Sequence, residues 1–316
     1  WIKSTSFNDI LDEQVPSTEI GSHCLQPYVC EFKDYCWSKV PETSIFDLTR
    51  LTTSKKFELY SNGITKSKQL PKNYPLSKYQ KIQINSEKTN TRFINKKAIK
   101  NFLKKITFPL YFLDFEAIQP ALPLFHGDAP FEFLPIQFSL HFIKTKNGRL
   151  QHREFIVNDN LDPRMNFAKS LVNLIPKNAC ILVYNTALEK KINKDLSLRF
   201  PEMEKQLKRI NRQLVDLNEP FSNKYIYDPK MKGKSSIKTI LPVLVPEMEK
   251  AYKNLNIKNG IMAMGAFFKM LKNSDKKEKD QVRQDLLDYC RLDTFAMVKV
   301  WQYLNNLFPP LTHQKN

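Results

Sequence analysis

The chain has 316 residues, of which 41% are hydrophobic and 26% are charged, and this balance excludes an intrinsically disordered protein. Lysine and arginine outnumber aspartate and glutamate by 50 to 32, and the formal net charge of +18 favours a polyanionic partner such as nucleic acid or an anionic membrane face. No stretch approaches the run of about 18 apolar residues that a transmembrane helix needs, so we expect no membrane span. The alternative explanation of the charge is a lysine-rich composition that only keeps the chain soluble.

Residues 1–105 are predicted to form a small, irregular and mostly helical segment that ends in a polar connector. Residues 52–95 are rich in lysine, serine and asparagine, and LPKNYPLSKYQ interrupts any long helix there. A basic helix is predicted over 96–105. Because the chain starts WIKSTSFNDI, without an initiator methionine, we expect this segment to be the end of a longer N-terminal region.

The cysteines and the first residues favour a reducing compartment. Five cysteines are an odd number, and their spacing is not that of a secreted disulfide framework. The N-terminal residues also lack the basic-then-apolar order of a signal peptide. We therefore expect a cytoplasmic protein.

Residues 106–316 are predicted to form one α/β domain, a mixed sheet flanked by helices. The segment FPLYFLDFEAI is typical of a buried strand, and a hairpin at 146–148 separates two further strands. Next along the chain, a helix with Asp162 as N-cap and Pro163 at its first position is followed by the buried strand ACILVYN. A charged helix is then predicted from about Thr186 past Arg212, with a break at Pro201. The strand QLVDL and a long helix over 276–307 complete the domain.

Acidic residues recur at three places that such a fold would bring together. Asp114 and Glu116 are two positions apart on the first strand, so both point to the same face. Glu189 follows the strand ACILVYN, and ligands bind at such carboxyl ends of α/β sheets. Tyr289 and Asp293 are four positions apart and hence lie on one helix face. Each place has a plain alternative: a chance match for Asp114 and Glu116, a first-turn helix acid for Glu189, and a half-exposed helix pair for Tyr289 and Asp293.

The residue types at these places suit divalent cations. Two carboxylates side by side repel each other and lose hydration, so a positive charge must normally lie between them. Oxygen ligands, with no histidine or cysteine among them, suit Mg²⁺ or Mn²⁺. We therefore expect two such ions, about 3.5–4 Å apart, bound by Asp114, Glu116, Glu189 and Asp293 and acting on a phosphodiester bond.

The order of these motifs resembles that of the exonuclease superfamily named for its residues Asp-Glu-Asp-Asp, which has a ribonuclease-H-like fold. Residues 108–305 carry its Asp-x-Glu, its asparagine followed four residues later by an acid, and the Tyr-x-x-x-Asp of its tyrosine branch in YCRLD. PIQFSLH, VYN, GKSSIKTILPVLVP and YCRLDT are similar to a bacterial family, domain of unknown function 2779. The resemblance implies a hydrolase, a 3′–5′ exonuclease acting on DNA or RNA, in which Tyr289 orients the attacking water.

This chain departs from the superfamily at Glu189, where aspartate is usual. The added methylene moves the carboxylate by about 1.5 Å, whereas metal–ligand distances vary by only about 0.2 Å. The alternative function is therefore a catalytically inactive nucleic-acid-binding module. A further alternative is a structural subunit of a larger repair or defence nuclease.

The basic stretch KMKGKSSIK, residues 230–238, is predicted to contact the phosphate backbone of a nucleic acid. It is not a P-loop, because the first glycine of that motif would fall at Asp228. A solvated loop is the alternative. The residues predicted to contact nucleic acid are Asn185, Lys190, Lys232, Lys234, Ser236 and Lys238.

The stretch CLQPYVCEFKDYCW contains three evenly spaced cysteines. Thiolates at short spacing favour zinc or an iron–sulfur cluster, and both need four ligands. The stretch resembles the C-terminal end of iron–sulfur nucleases related to RecB and Cas4, which implies that Cys24, Cys30 and Cys36 are ligands and that an upstream cysteine is the fourth. Reduced free thiols are the alternative. Cys180 and Cys290 are predicted to be core residues.

Overall fold

The computed structural model describes residues 18–157 and 162–308, so residues 1–17 of the expected N-terminal segment lie outside the described residues. The chain divides into two compact units, one ending at Thr91 and the other starting at Arg92. The division therefore lies between 91 and 92 rather than between 105 and 106. Two short strands explain the difference, since β1 (Phe93–Ile94) pairs antiparallel with a strand at Ile226–Tyr227 of the larger unit.

The smaller unit is helical and irregular, as the sequence predicts. Its α-helices are α1 (Lys33–Cys36), α2 (Thr53–Ser61) and α3 (Lys78–Thr89), and 3₁₀ turns lie at Ser22–Cys24, Ile45–Asp47 and Ser67–Gln69. Ser77 starts α3 with a capping box, because its hydroxyl accepts the Gln80 N–H and the Gln80 side chain accepts the Ser77 N–H. A small hydrophobic core forms around Ile45, Leu48, Leu59 and Ile84.

The larger unit alternates strands and helices after a short helical start. Its further strands are β2 (Leu110–Ile118), β3 (Leu134–Ile143), β4 (Gln151–Ile156), β5 (Cys180–Val183), β6 (Leu214–Asp216) and β7 (Ile226–Tyr227). Its helices are α4 (Lys96–Leu103), α5 (Arg164–Leu174), α6 (Ala187–Arg199), α7 (Glu204–Gln213), α8 (Glu219–Ser222), α9 (Ile237–Leu244), α10 (Gly260–Lys272) and α11 (Lys276–Asn306).

Five strands form a mixed sheet in the order β4-β3-β2-β5-β6, with β2 in the centre. On one side, β2, β3 and β4 form an antiparallel meander. On the other side, β5 and β6 run parallel to β2, and the helices between them cover the sheet. The predicted α/β class, a mixed sheet flanked by helices, is confirmed.

The two faces of β2 carry different residues because side chains alternate along a strand. Tyr111, Leu113 and Phe115 belong to the hydrophobic core that α5, α6 and α7 cover. The opposite face meets α11, where the ring of Phe112 lies 5.7 Å from that of Trp301. Each such large apolar side chain stabilises the folded state by about 1.5–3 kcal/mol when it is fully buried. Asp114 and Glu116 share this second face.

The helix boundaries follow the sequence signals closely. The charged helix predicted from Thr186 is interrupted by a 3₁₀ turn at Pro201–Met203, so the predicted break is present. The helix predicted after Asp162 starts one residue later than expected, with Pro163 as N-cap, and the Asp162 carboxylate accepts the Arg164 N–H at 3.0 Å. Among the described residues, no helix combines the length and the apolar composition that crossing a bilayer would require.

Candidate metal centre

The central strand β2 presents two carboxylates on the face that meets α11. Asp114 lies opposite Ser139 of β3, and Glu116 lies opposite Gln137. Both acidic side chains are half-buried. The register shifts directly after Glu116, and such bulges bend a strand and are common beside functional sites. The predicted common orientation of Asp114 and Glu116 is present.

Helix α11 carries Tyr289, Cys290 and Asp293 against this face. Its buried residues recur three or four positions apart, which gives one buried stripe along a 31-residue helix. The Cys290 Sγ atom lies 3.6 Å from Asp114 Oδ2. Cys290 is fully buried, as predicted for a core residue, but it contacts a carboxylate rather than only apolar groups. The core position predicted for Cys290 is present, and its contact with Asp114 was not predicted.

Three side chains of types that can bind a metal ion lie close together at this point. In the part of the chain that the structure describes, Asp114, Glu116 and Cys290 form the one group of three whose ligand atoms all lie within 4.8 Å of one another. Asp293 and Glu189 are neighbours of this group but not members of it. The four predicted carboxylates thus converge on one region, with Asp114 and Glu116 at its centre.

Asp293 is held by groups that the sequence did not predict. It is 9% exposed, and its Oδ1 atom accepts a 2.6 Å hydrogen bond from the Tyr252 hydroxyl. Burial raises the pKa of Asp293, while the Tyr252 hydrogen bond and the positive charge of Lys238 oppose the rise. Tyr252 lies in the segment between α9 and α10, which has no periodic pattern.

The Tyr289 hydroxyl lies at the edge of the acidic group. The Lys238 ammonium donates to this oxygen at 3.0 Å and to the Lys258 carbonyl at 2.7 Å. Lys238 also lies 4.7 Å from the centre of the Tyr289 ring and 5.1 Å from that of Tyr252. Lys238 therefore fixes the position of the tyrosine that the sequence selected.

Glu189 lies in the first turn of α6 and is 3% exposed. Its Oε2 atom has no hydrogen-bond partner among the described residues. Burial raises the pKa of Glu189 to about 7, although hydrogen bonds from the backbone N–H groups of Glu189 and Phe115 oppose the rise. Since Phe115 stands between Asp114 and Glu116, this carboxylate lies beside the two acids of β2.

The acids interact electrostatically across the three segments. Burial raises the pKa of Asp114 well above its usual value, and the charges of Asp293, Glu116 and Glu189 add to the rise. Burial likewise raises the pKa of Glu116 to about 8; the charges of Asp293 and Glu189 contribute, and that of Lys238 opposes. The positive charge of Lys238 acts on Glu116 and Asp293, so additional positive charge beside the four carboxylates would stabilise their ionised forms.

The donor set fits hard divalent cations. Besides Glu189 Oε2, a second buried oxygen without a partner lies beside the acids, Oε1 of the fully buried Gln137 opposite Glu116. Buried oxygens of this kind normally have a hydrogen-bond partner or bind an ion. Asp114, Glu116, Glu189 and Asp293 are therefore the residues that could hold Mg²⁺ or Mn²⁺.

The residues predicted to follow β5 have local structural partners. Asn185 is exposed and adopts a left-handed backbone with φ of 76°. Its side-chain oxygen accepts the Ala187 N–H at 3.2 Å, and its own N–H donates to Asp216 Oδ1 at 2.9 Å. Lys190 is exposed on α6. Asp216, at the carboxyl end of β6, was not among the predicted site residues. The signal that could have identified it is an aspartate at the end of a predicted strand.

The basic stretch 230–238 reaches the candidate site through its last residue. Ser236 is the N-cap of α9, and its hydroxyl lies 2.9 Å from that of Thr239. Lys232 adopts a left-handed backbone with φ of 45°, and Lys234 is exposed. Lys238, in contrast, contacts Tyr289 directly. One of the residues predicted to contact phosphate therefore lies beside the acidic group.

The cysteines of the smaller unit do not meet in the same way. Cys24 is buried, Cys30 is half-buried and Cys36 is exposed, and all are free thiols. Their three sulfur atoms do not lie within 4.8 Å of one another. Within the described part of the chain, these three thiols are therefore too far apart to share one ion such as Zn²⁺, while their role as iron–sulfur ligands stays a prediction.

Comparison with known proteins finds one family model that matches the central part of the larger unit. Residues 111–236 match the model of a family described as Domain of unknown function (DUF2779), and this supports the predicted family domain. The match includes Asp114, Glu116 and Glu189, whereas Tyr289 and Asp293 lie beyond it.

Two relatives extend the similarity along the chain. It is 27% identical over 224 residues to "Uncharacterized protein MG366" of Mycoplasma genitalium, covering 66% of this chain and 34% of that protein. It is 26% identical over 243 residues to "Uncharacterized protein UU173" of Ureaplasma parvum, covering 71% and 35%. The chain thus spans about a third of the length of these curated relatives. No solved structure matches the chain.

Proposed function

We propose that the larger unit is a divalent-metal-dependent nuclease, a 3′–5′ exonuclease that hydrolyses phosphodiester bonds of DNA or RNA. The observation that carries the proposal is the convergence of carboxylates from β2, α6 and α11 on one face of the sheet, where each raises the pKa of Asp114. Such crowding is unfavourable without cations and is typical of sites that bind them. The net charge of +18 supports a polyanionic substrate.

The proposal includes a ribonuclease-H-like fold for this unit. Support comes from the sheet, whose central strand carries two of the acids and has antiparallel strands on one side and parallel strands on the other. The third acid follows the parallel strand β5, and the fourth lies on the long helix that covers the sheet. This order agrees with the motif order of the exonuclease superfamily.

The chain's own residues would share the work of hydrolysis. Bound to Asp114, Glu116, Glu189 and Asp293, two Mg²⁺ or Mn²⁺ ions would activate a water molecule and stabilise the leaving oxygen. The Tyr289 hydroxyl, held by Lys238 at 3.0 Å, would orient that water. Tyr252 would keep the Asp293 carboxylate in a fixed orientation through its 2.6 Å hydrogen bond. The half-buried Asp114 and Glu116 remain reachable from solvent.

A non-catalytic nucleic-acid-binding module is the second candidate function. Two ligand atoms of the site already have partners, since Tyr252 donates to Asp293 and the Cys290 thiol donates to Asp114. If these contacts persist, the acids bind no ion while the basic surface still binds nucleic acid. A subunit role in a larger repair or defence nuclease is compatible with either candidate.

Release of nucleotides from 3′-labelled single-stranded DNA and RNA, with Mg²⁺ or Mn²⁺, tests the proposal. We expect release that stops with chelator and with Asp114→Asn. The matched control is Asp280→Asn, which removes an exposed carboxylate from α11 and should leave release unchanged. The same substrates labelled at the 5′ end report the direction of digestion. Tight binding without release in either ion would favour the binding module instead.

A further inference from the structure

Cys290 gives the acidic group a ligand type that Mg²⁺ does not use. Its side chain is fully buried between β2 and α11, and its sulfur lies 3.7 Å from the Asp114 carbonyl and 3.6 Å from Asp114 Oδ2. Soft thiolate ligands select Zn²⁺ and similar ions over Mg²⁺ and Mn²⁺. The site therefore combines hard and soft ligands at one point.

The spacing of these atoms matches a tetrahedral thiophilic ion. With a metal–sulfur distance of about 2.3 Å and a metal–oxygen distance of about 2.1 Å, tetrahedral geometry requires about 3.6 Å between sulfur and oxygen. That separation is the one between Cys290 Sγ and Asp114 Oδ2. One ligand atom from each of Asp114, Glu116 and Cys290 lies within 4.8 Å of the other two, so Glu116 is near enough to be the third ligand.

A separate observation indicates that the pocket is built for a cation. Glu189 is only 3% exposed, and its Oε2 atom has no hydrogen-bond partner among the described residues. Its negative charge also acts on both Asp114 and Glu116. A buried carboxylate oxygen of this kind is costly unless a positive charge is nearby. It therefore supports an ion next to the three ligands independently of the cysteine.

We propose that Asp114, Glu116 and Cys290 bind a thiophilic divalent cation such as Zn²⁺ or Cd²⁺ and that this binding excludes Mg²⁺ or Mn²⁺ from the same carboxylates. A sulfur–metal bond forms, the thiol proton passes to solvent, and no electron transfer occurs. The inference rests on the cation site of the proposed function but not on nuclease activity. If the inference is correct, Zn²⁺ inhibits hydrolysis, because the carboxylates of Asp114 and Glu116 cannot bind both kinds of ion at the same time.

A single-cysteine chain tests the inference without changing the site. In this variant Cys24, Cys30, Cys36 and Cys180 are replaced by serine, so any sulfur-to-cadmium charge-transfer absorption on Cd²⁺ titration comes from Cys290. We expect a saturable band at one ion per chain that Zn²⁺ abolishes. The matched control keeps Cys180 and carries Cys290→Ser; its remaining thiol lies 3.8 Å from the Lys105 carbonyl, and it should give no band.

Three results would overturn the inference. They are no band in the Cys290-only chain, an equal band in the Cys180-only chain, or an affinity for Cd²⁺ that Asp114→Asn weakens by less than about tenfold. If the serine variants do not fold, cadmium NMR of the unchanged chain decides, because one sulfur with oxygen ligands has a different shift from oxygen ligands alone. An absorption band without nucleotide release would contradict the proposed nuclease activity and support the thiophilic-ion site. Nucleotide release without a band would support the nuclease activity and contradict the thiophilic-ion site.

Discussion

The acids of the larger unit and the cysteines of the smaller unit are two candidate metal sites with opposite layouts. Cys24, Cys30 and Cys36 are close along the chain, yet their sulfur atoms do not meet within 4.8 Å. Asp114 and Asp293 are far apart along the chain, yet the charge of one raises the pKa of the other.

The elements that carry the residues explain this difference. A strand and a long helix hold side chains in fixed directions, and packing of α11 on β2 brings those directions together. The cysteines lie on a 3₁₀ turn, a loop and a four-residue helix, which give no common direction. Rigid elements, rather than proximity in sequence, therefore make the better candidate site.

Removing a carboxylate from α11 should have the largest effect. We expect Asp293→Asn to weaken Mn²⁺ binding by more than about 100-fold, since loss of a ligand's supporting partner alone costs about 10–100-fold. Titration followed by electron paramagnetic resonance measures the free Mn²⁺. Asp280→Asn on the same helix is the control, and equal affinities in the two variants would exclude Asp293 from the site.

Removing the group that orients Asp293 should have an intermediate effect. Tyr252→Phe deletes the hydroxyl that donates to Asp293 Oδ1 and leaves the ring in place. We expect divalent-ion affinity to fall about 10–100-fold while the melting temperature changes little. Tighter Mn²⁺ binding in this variant would mean that the hydroxyl competes with the ion and would favour the binding module.

The stability of the metal-free protein should fall as pH rises. Glu116 and Glu189 have raised pKa values of about 8 and about 7, so the folded state holds protons that the unfolded state has lost. Stability from these groups is complete below their unfolded pKa, about 4.5, and disappears as pH passes about 7 to 8. Thermal unfolding in chelator measures this dependence.

Two controls sharpen the pH experiment. Mn²⁺ should remove most of the loss at high pH, because the ion replaces the protons on the same carboxylates. The double variant Glu116→Gln and Glu189→Gln should also lose less stability between about pH 5 and 8. An unchanged slope in this variant would show that other groups cause it.

Changing the exposed cysteine of the smaller unit should have the smallest effect. We expect Cys36→Ser to alter the free energy of unfolding by less than about 0.5 kcal/mol, as is usual at exposed positions without special contacts. Urea unfolding and the zinc and iron content of the purified chain measure this. Loss of bound metal on this substitution would reverse the comparison between the two regions.

Local periodicity was enough to find the residues whose direction their own element determines. Alternation on β2 predicted that Asp114 and Glu116 share a face, and four-residue spacing predicted the same for Tyr289 and Asp293. The mixed sheet followed from the order of strand and helix patterns. The family prediction relied on the amino-acid sequences of several short stretches, and it is supported over 111–236.

Contacts between distant segments could not be predicted in this way. Cys290 looked like a core residue because its sequence neighbours are apolar, and only the packing of α11 on β2 shows its contact with Asp114. Tyr252 lies in a segment without periodicity. The division at Thr91 depends on a two-residue pairing of β1 with β7, which is too short to leave a sequence pattern.

A crystal structure of the chain grown with Mn²⁺ tests the central claim most directly, since anomalous scattering locates the ion. The account predicts one or two peaks with oxygen ligands at about 2.0–2.2 Å from Asp114 and Glu116 and with Asp293 or Glu189 completing the coordination. No peak at saturating Mn²⁺, with Lys238 and Tyr252 still in their present contacts, would contradict it.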